Sequence, residues 1–252
     1  MVAVNGHVGL QVGSLALVGS GEYLPEMLEL EKSLIEDGVA RGKRPAFVQI
    51  PTAAGQESLE RLQFWRELGL SQGERIGVPS HFLPIYNRED AMNFDYADLI
   101  RDSALIYLSG GDPHHLAGSL IDTPVWQAVL DGWRSGSSLA GCSAGAMVMS
   151  SHIPNFRMSK QPPTLGLGLI PDIRVIPHFN KFFKWIPDSA AKVLLNLPTD
   201  SILLGIDELT ALVRRSGEVE WQVEGLAKVH VLKGAPTTQL VHKERLTLPA
   251  SI

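Results

Sequence analysis

Short apolar segments alternate with longer amphipathic segments along most of the chain. Several of the short segments are apolar throughout, which is typical of strands that are covered on both faces. They comprise residues 14–19, 46–51, 81–86, 104–110, 138–142, 174–179 and 202–207. The amphipathic segments predict helices over residues 25–40, 56–70, 88–102, 123–135 and 187–197. Strands that alternate with helices predict an α/β fold with a doubly wound, mostly parallel sheet.

The helical pattern stops after residue 207. Three further strand-like segments follow at residues 210–215, 218–223 and 227–234, and they predict a small antiparallel meander at one edge of the sheet. The sequence contains no repeat, low-complexity tract or linker. We therefore expect one domain over residues 1–252.

Composition and charge exclude several classes of protein. Of the 252 residues, 44% are apolar and 19% charged, which argues against a disordered chain. A net charge of −5 gives no basic footprint for nucleic acid. No segment reaches the roughly 20 apolar residues that a membrane span needs. The N-terminus has no basic start typical of a signal peptide, and Cys142 is the single cysteine. We therefore expect a cytoplasmic protein.

Polar and glycine-rich segments follow the predicted strands at their carboxyl ends. Ligands of open α/β sheets bind beyond that edge. The segments are GSGEY at 19–23, PTAAGQ at 51–56, GGDPHH at 110–115, CSAGAM at 142–147, HFNKFF at 178–183 and DELT at 207–210. We expect the functional site where these segments meet.

Residues 141–145 match G-x-S-x-G, a tight strand-to-helix turn that exposes a serine hydroxyl at the edge of a sheet. In such a turn Ser143 is either a nucleophile or merely a helix cap. A nucleophilic serine needs a base, and His178 ends the next strand along the chain. His114, His115 and His152 are the reserve candidates for the base.

The orienting acid has three candidates. Asp207 and Glu208 close the strand that follows His178, and because adjacent strand residues point to opposite faces, only one of them can meet the imidazole. Asp172 lies six residues before His178. The double glycine of Gly110 and Gly111 lets the backbone approach a ligand closely, or else forms an ordinary turn.

Five motifs resemble the serine peptidase family that contains dipeptidase E and cyanophycinase. In order they are VGSGEY, PTAAG, YLSGGD, AGCSAGAM, and PHF followed by GIDELTAL, and they span residues 15–212. The resemblance implies a flavodoxin-like fold of the class I glutamine amidotransferase type and hydrolysis without metal or cofactor. It implies that Ser143 is the nucleophile, His178 the base and Glu208, of the cyanophycinase type, the acid. The matching oxyanion donors are the N–H groups of Gly111 and Ala144, with Gly110 and Asp112 beside the substrate.

Two departures from the family pattern concern the substrate. Pro113 follows GGD where cyanophycinase-like proteins usually have glutamine, and residues 180–185 replace an arginine-rich stretch. A β-Asp-Arg substrate is therefore in doubt. We expect hydrolysis of peptide or isopeptide bonds in small peptides with an acidic residue, and family likeness is compatible with a homodimer. Four cationic side chains could bind a substrate carboxylate: Arg157, Lys160, Lys181 and Lys184. Such side chains are more usually solvated on the protein surface.

Three other functions fit parts of the sequence. A family member that has lost catalysis would act as a binding protein, and the departures at Pro113 and after Phe179 favour it. A glutaminase of the amidotransferase type would use Cys142, but this thiol stands one position before the apex of the turn. A metallohydrolase would use Asp112, His114 and His115, although adjacent histidines rarely bind one ion.

Overall fold

The computed structural model describes residues 12–153, 164–181 and 201–248, and the strands and helices alternate through the first of these ranges. The strands are β1 (Leu15–Val18), β2 (Arg44–Ile50), β3 (Ser80–Phe82), β4 (Ser103–Leu108), β5 (Ser138–Cys142), β6 (His152–Ile153), β7 (Thr164–Leu165), β8 (Ile173–Ile176), β9 (Ile202–Ile206), β10 (Thr210–Arg214), β11 (Trp221–Gly225), β12 (Val229–Lys233), β13 (Thr238–Leu240) and β14 (Arg245–Leu246). The helices are α1 (Leu28–Ala40), α2 (Leu59–Ile76), α3 (Arg88–Ala91), α4 (Ala97–Asp102), α5 (Pro113–Leu120), α6 (Pro124–Arg134) and α7 (Ala144–Met147).

Within the described ranges, eight strands form the main sheet in the order β14-β11-β10-β1-β5-β4-β2-β3. The five strands from β1 to β3 in that order are mutually parallel, whereas β10, β11 and β14 are antiparallel to their neighbours. The prediction of a mostly parallel α/β sheet with a small antiparallel edge is confirmed.

Helices cover both faces of the central strands of the main sheet, which explains why several of these strands are apolar throughout. Along β1, Leu15 and Leu17 join one buried cluster with residues of α4, α5 and α6, while Ala16 and Val18 join a second cluster with residues of α1. Alternate side chains of a strand point to opposite faces, so a strand that is buried on both sides is apolar at consecutive positions.

A second, smaller sheet is the main difference from the predicted fold. Its order is β13-β12-β9-β8, with β8 and β9 parallel and the remaining pairs antiparallel. The strands that precede His178 and Glu208 therefore lie outside the main sheet, and β12 does not continue the meander formed by β10 and β11. Because a buried strand looks the same in either sheet, the apolar pattern alone could not separate them.

Helix boundaries depart from the sequence prediction where local capping overrides periodicity. The predicted helix over residues 88–102 is broken into α3, a single 3₁₀ turn (Phe94–Tyr96) and α4. Asn93 causes this break, since its side chain accepts the N–H of Asp95 and starts a new turn. Helix α5, which was not predicted, begins at Pro113 with Asp112 as its N-cap. The predicted helix over residues 187–197 lies outside the described residues.

None of the helices in the described part of the chain is both long enough and apolar enough to cross a membrane.

Candidate active site

The chain makes a sharp turn at Ser143, between the end of β5 and the start of α7. Ser143 has φ 50° and ψ −107°, a backbone conformation that costs about 1–3 kcal/mol for a residue with a side chain. Its N–H donates to the carbonyl of Val18 at 2.9 Å, and its own carbonyl accepts the N–H groups of Ala146 and Met147. These bonds hold the strained turn and leave the Ser143 side chain half-buried at the carboxyl edge of the main sheet.

The glycines of the G-x-S-x-G segment are required by close backbone packing. A Cβ atom on Gly141 would lie 2.3 Å from the carbonyl oxygen of Gly145. A Cβ atom on Gly145 would lie 2.3 Å from the carbonyl oxygen of Leu108 at the end of β4. Larger residues at either position would therefore displace the turn that carries Ser143.

His178 follows β8 and reaches Ser143 from the smaller sheet. Its Nε2 atom lies 3.2 Å from Ser143 Oγ, and its Nδ1 atom lies 2.9 Å from Glu208 Oε1. Because a carboxylate can only accept, Nδ1 carries the proton and Nε2 is left to accept the hydroxyl proton of Ser143. The backbone of His178 has φ 50°, and its N–H donates to the carbonyl of Gly19 at 3.3 Å.

Phe179 anchors the segment next to His178. Its ring packs against Gly205 of β9, where an added Cβ atom would lie 2.5 Å from the ring. The ring also packs against the imidazole of His230, with a centroid distance of 4.6 Å. The packing of Phe179 thus helps to fix the position of His178 against β9 and β12.

Glu208 lies in the three-residue connection between β9 of the smaller sheet and β10 of the main sheet. Oε1 accepts from His178, while Oε2 pairs with Lys181 Nζ at 2.5 Å. Burial by itself raises the pKa of Glu208, but the hydrogen bonds from His178 and Lys181 outweigh it, so the pKa lies below its usual value. Glu208 is therefore an ionised partner for the imidazole at neutral pH.

The other two candidate acids face elsewhere. Asp207 is buried and accepts from His230 Nε2 at 3.1 Å and from the N–H of Lys228 at 3.2 Å. Asp172 immediately precedes β8, at the opposite end of that strand from His178. Of the three carboxylates left open by the sequence, the structure brings Glu208 to His178.

The loop after β4 lies against Ser143. A Cβ atom on Gly110 would be only 3.3 Å from the Cβ atom of Ser143, so the two backbones are in close contact. Gly111 has φ 139°, and a Cβ atom there would lie 2.3 Å from the carbonyl oxygen of Ala53. The N–H of Ala144 is at the first position of α7, where no carbonyl of the helix can accept it.

Asp112 has a structural role in addition to the predicted contact with substrate. Its Oδ1 atom caps α5 by accepting the N–H groups of His114 and His115 at 2.8 and 3.0 Å. Its own N–H donates to the carbonyl of Ala53 at 2.8 Å. Asp112 remains exposed at the rim of the site.

The sequence model of peptidase family S51 matches residues 15–221. The chain belongs to peptidase family S51. It is 30% identical to a cyanophycinase of Trichormus variabilis over 220 residues, which cover 81% of this chain and 68% of the relative.

Two solved structures resemble this S51 peptidase. A crystal structure of a peptidase from an acI-B1 actinobacterium is 63% identical, with a TM-score of 0.92 over 95% of this chain and 98% of that chain. A Listeria monocytogenes protein that has been provisionally named peptidase E is 21% identical, with a TM-score of 0.62 over 86% of this chain and 100% of that chain. The second likeness shows the fold alone.

The environment of the Cys142 thiol in this S51 peptidase is not that of a nucleophile. Cys142 is fully buried, and its S–H donates to Glu22 Oε2 at 3.0 Å. Burial first, and then the charge of Glu22, raise the pKa of Cys142 well above its usual value. A reactive thiolate needs the opposite environment, electropositive and accessible. The geometry therefore does not favour the glutaminase interpretation.

The histidines after Gly111 point to different partners. His114 Nδ1 lies 2.7 Å from Thr164 Oγ1, and His115 Nε2 lies 2.8 Å from the carbonyl oxygen of Tyr86. Across the described ranges, no group of three His, Cys, Asp or Glu side chains converges as a metal site would require. The contacts of both rings thus offer no support for the metallohydrolase interpretation.

Two features of the site were missed or only partly foreseen in the sequence. The sequence predicts Lys181 as one of the cations for a substrate carboxylate but does not predict its pairing with Glu208. Arg157, Lys160 and Lys184 lie outside the described residues. Glu22 was not singled out, although it lies in the glycine-rich segment after β1. The position of this acidic residue, in a glycine-rich segment after a central strand, could have indicated a role at the site.

Proposed function

We propose that this S51 peptidase is a serine-type hydrolase of peptide or isopeptide bonds, with Ser143 as nucleophile, His178 as base and Glu208 as orienting acid. The observation that carries the proposal is the unbroken hydrogen-bonded chain from Ser143 Oγ through the imidazole to Glu208, with distances of 3.2 and 2.9 Å. Nucleophile, base and orienting group in this order are the parts that acyl transfer to a serine needs.

In the proposed reaction, Ser143 Oγ attacks the substrate carbonyl while its proton passes to His178 Nε2. The C–O bond forms, and the carbonyl π electrons move to oxygen to give a tetrahedral oxyanion. The intermediate collapses when the C–N bond breaks and His178 gives its proton to the leaving amine. Water then attacks the acyl-enzyme by the same route and releases the acid. Glu208 keeps Nδ1 protonated throughout and stabilises the imidazolium.

The N–H groups of Gly111 and Ala144 are the proposed donors to the oxyanion. Gly111 is held in a conformation that favours glycine, beside the turn that carries Ser143. The free N–H at the start of α7 is oriented by the same turn. Donors that are fixed before the reaction stabilise the charge as it develops, and each is worth about 10²–10³ in kcat.

The proposed substrates are small peptides with an acidic residue. Lys181 Nζ pairs with Glu208 beside the reacting groups and can use its remaining N–H donors for a substrate carboxylate. The side chain of Lys181 is half exposed, so an incoming peptide can reach it. Gly110 and Asp112, on the loop after β4, are the other residues proposed to contact the substrate.

A fluorophosphonate probe and a dipeptide panel test this function together. We expect wild type to be labelled on one residue, Ser143→Ala not to be labelled, and the control Ser71→Ala within α2 to behave as wild type. The panel contains α- and β-linked aspartyl dipeptides beside their neutral counterparts. Ser143→Ala should hydrolyse none of them, although its circular dichroism spectrum stays that of the wild type.

Labelling of Ser143→Ala at an unrelated residue, or undiminished hydrolysis by that variant, would overturn the proposal. A wild-type protein that binds acidic dipeptides without cleaving them would support a binding protein instead.

A further inference from the structure

Glu22 is a buried acidic residue beside the candidate active site that the proposed reaction does not use. It lies in the loop after β1 and is 8% exposed. Its Oε1 atom accepts the N–H of Gly110 at 2.9 Å, and its Oε2 atom accepts the S–H of Cys142 at 3.0 Å. One carboxylate thus holds both the loop that carries the proposed oxyanion donor Gly111 and the residue before the proposed nucleophile.

The topology makes this bridge central to the site. Strands β4, β5 and β1 are neighbours in the main sheet, and Gly110, Cys142 and Glu22 lie at or just beyond their carboxyl ends. The loop after β4 is clamped on its other side too, because the N–H of Asp112 donates to the carbonyl of Ala53 at 2.8 Å. Gly111, with φ 139°, lies between these two fixed points.

The hydrogen bond from the N–H of Gly110 to Glu22 is expected to be strong. Hydrogen bonds to an ionised acceptor are about twice as strong as those between neutral groups. The N–H of Gly110 is part-buried and would lose its acceptor with the carboxylate, so we expect the peptide between Ser109 and Gly110 to rotate toward another partner. The thiol keeps its proton, because burial and Glu22 raise the pKa of Cys142, and so it remains a donor.

We propose that Glu22 is a positioning residue for the oxyanion-binding loop: by holding Gly110 and Cys142 together it aims the N–H of Gly111 at the oxyanion formed on the carbon that Ser143 attacks. This inference rests on the proposed function. Because the oxyanion exists only after attack, Glu22 should affect the bond-forming step and leave ground-state binding unchanged.

In this proposal Glu22 raises the rate of attack by Ser143 by fixing the geometry of the loop, and its negative charge does not contribute. A negative charge close to Ser143 opposes the negative charge that develops on the substrate oxygen. A neutral glutamine at position 22 keeps an oxygen for the N–H of Gly110, with its amide beside the sulfur of Cys142. Glu22→Gln should therefore retain the rate, whereas Glu22→Ala should lose it.

The test measures how fast a fluorophosphonate probe labels each variant, because its phosphoryl oxygen occupies the same site as the oxyanion. For Glu22→Ala we expect kinact to fall about 30–100-fold, with KI within twofold of wild type. Glu22→Gln should stay within threefold in both constants. Cys142→Ala, which removes one of the two anchors, should lose about 3–10-fold in kinact.

Glu31→Gln is the matched control. Glu31 is also buried, and it accepts from Gln72 Nε2 at 2.6 Å and from the N–H of Tyr23 at 3.3 Å, without contact to Gly110. We expect its kinact to match wild type. If Glu22→Ala does not fold, Glu22→Asp carries the test: it keeps the charge but is one methylene too short for both bonds, so the same fall in kinact is expected.

Wild-type kinact in the folded Glu22→Ala or Glu22→Asp variant, or a change in KI alone, would overturn the inference. An equal loss in Glu31→Gln would also overturn it, because the effect would then follow from any disturbed buried acid. If Ser143→Ala is still labelled, the proposed function fails first. If Ser143→Ala is inert and Glu22→Ala reacts normally, only the role of Glu22 is rejected.

Discussion

Asp207 and Glu208 are adjacent in the chain, yet their carboxylates serve two different histidines. Glu208 Oε1 lies 2.9 Å from His178 Nδ1, and Asp207 Oδ1 lies 3.1 Å from His230 Nε2. Both imidazoles contact or adjoin Phe179, which packs against His230 and follows His178 directly. These two adjacent residues therefore both support the proposed base His178. Glu208 does so through a hydrogen bond, and Asp207 does so through the packing of His230 against Phe179.

Neutralising these two acids should have different effects. Glu208→Gln is expected to lower kcat by about 10³–10⁴-fold, because it removes the charge that stabilises the imidazolium and permits the wrong tautomer. Asp207→Asn should keep kcat within about threefold but lower Tm. Steady-state kinetics on the best dipeptide of the panel and differential scanning fluorimetry measure both effects. The assignment of Glu208 would be wrong if the two variants lost activity equally.

Glu31 should make the protein less stable as the pH rises. Burial raises the pKa of Glu31 from 4.5 to about 8, against the hydrogen bonds from Gln72 and Tyr23 that lower it. Between about pH 4.5 and 8 the folded state holds a proton that the unfolded state has lost, so stability falls as pH rises through this window and stays low above it.

Scanning fluorimetry from pH 5.5 to 8.5 tests this dependence. We expect a Tm several degrees lower at pH 8.5 in wild type and a much smaller decline in Glu31→Gln. The control is Glu36→Gln on the exposed side of α1, which should keep the wild-type slope. Parallel slopes in all three proteins would contradict the prediction.

Gly205→Ala should lower activity although Gly205 is not one of the proposed catalytic residues. The new Cβ atom would lie 2.5 Å from the ring of Phe179, which is confined on another side by His230. We expect a destabilisation of about 1–3 kcal/mol and a fall in kcat, because the displaced ring carries His178 with it. Gly118→Ala in α5, where a Cβ atom has no neighbour within 4 Å, is the matched control. Full activity in Gly205→Ala would show that Phe179 does not position His178.

Lys181→Met should change substrate preference more than chemistry. If Lys181 binds a substrate carboxylate, KM for dipeptides with an acidic side chain should rise about tenfold while KM for neutral dipeptides stays unchanged. Lys181→Arg should restore much of the difference. Loss of Lys181 also removes a bond that lowers the pKa of Glu208. Equal changes in KM for acidic and neutral substrates would reject the role in recognition.

Much of the main sheet could be predicted because its strands are buried on both faces. The segments predicted at 14–19, 104–110 and 138–142 match β1, β4 and β5 within one or two residues, since their apolar pattern is continuous. The smaller sheet could not be predicted, because β8 and β9 show the same pattern and only tertiary pairing separates them. The break at Asn93 and the start of α5 at Asp112 and Pro113 depended on side-chain caps that the periodicity ignores.

The order of elements and the glycines around Ser143 favoured Ser143 and His178 as the side chains that meet at the site. Ser143 and His178 follow consecutive apolar segments, and the structure brings them within 3.2 Å. The strand pattern alone could not choose between Asp207 and Glu208, because a shift of one residue in the strand exchanges their faces, whereas the family resemblance favoured Glu208. The bonds of Glu22 to Gly110 and Cys142 join residues that are 88 and 120 positions apart, so no local pattern could reveal them.

The proposed reacting groups come from two separate sheets, with Ser143 after a strand of the larger one and His178 after a strand of the smaller one. Within the described residues, the backbone bonds that join the two sheets near the site include those from His178 to Gly19 and from Leu209 to Ser20. A small slip of one sheet against the other would part the hydroxyl from the imidazole and leave each sheet intact. Mild denaturant is therefore expected to lower the rate of hydrolysis before the secondary structure melts.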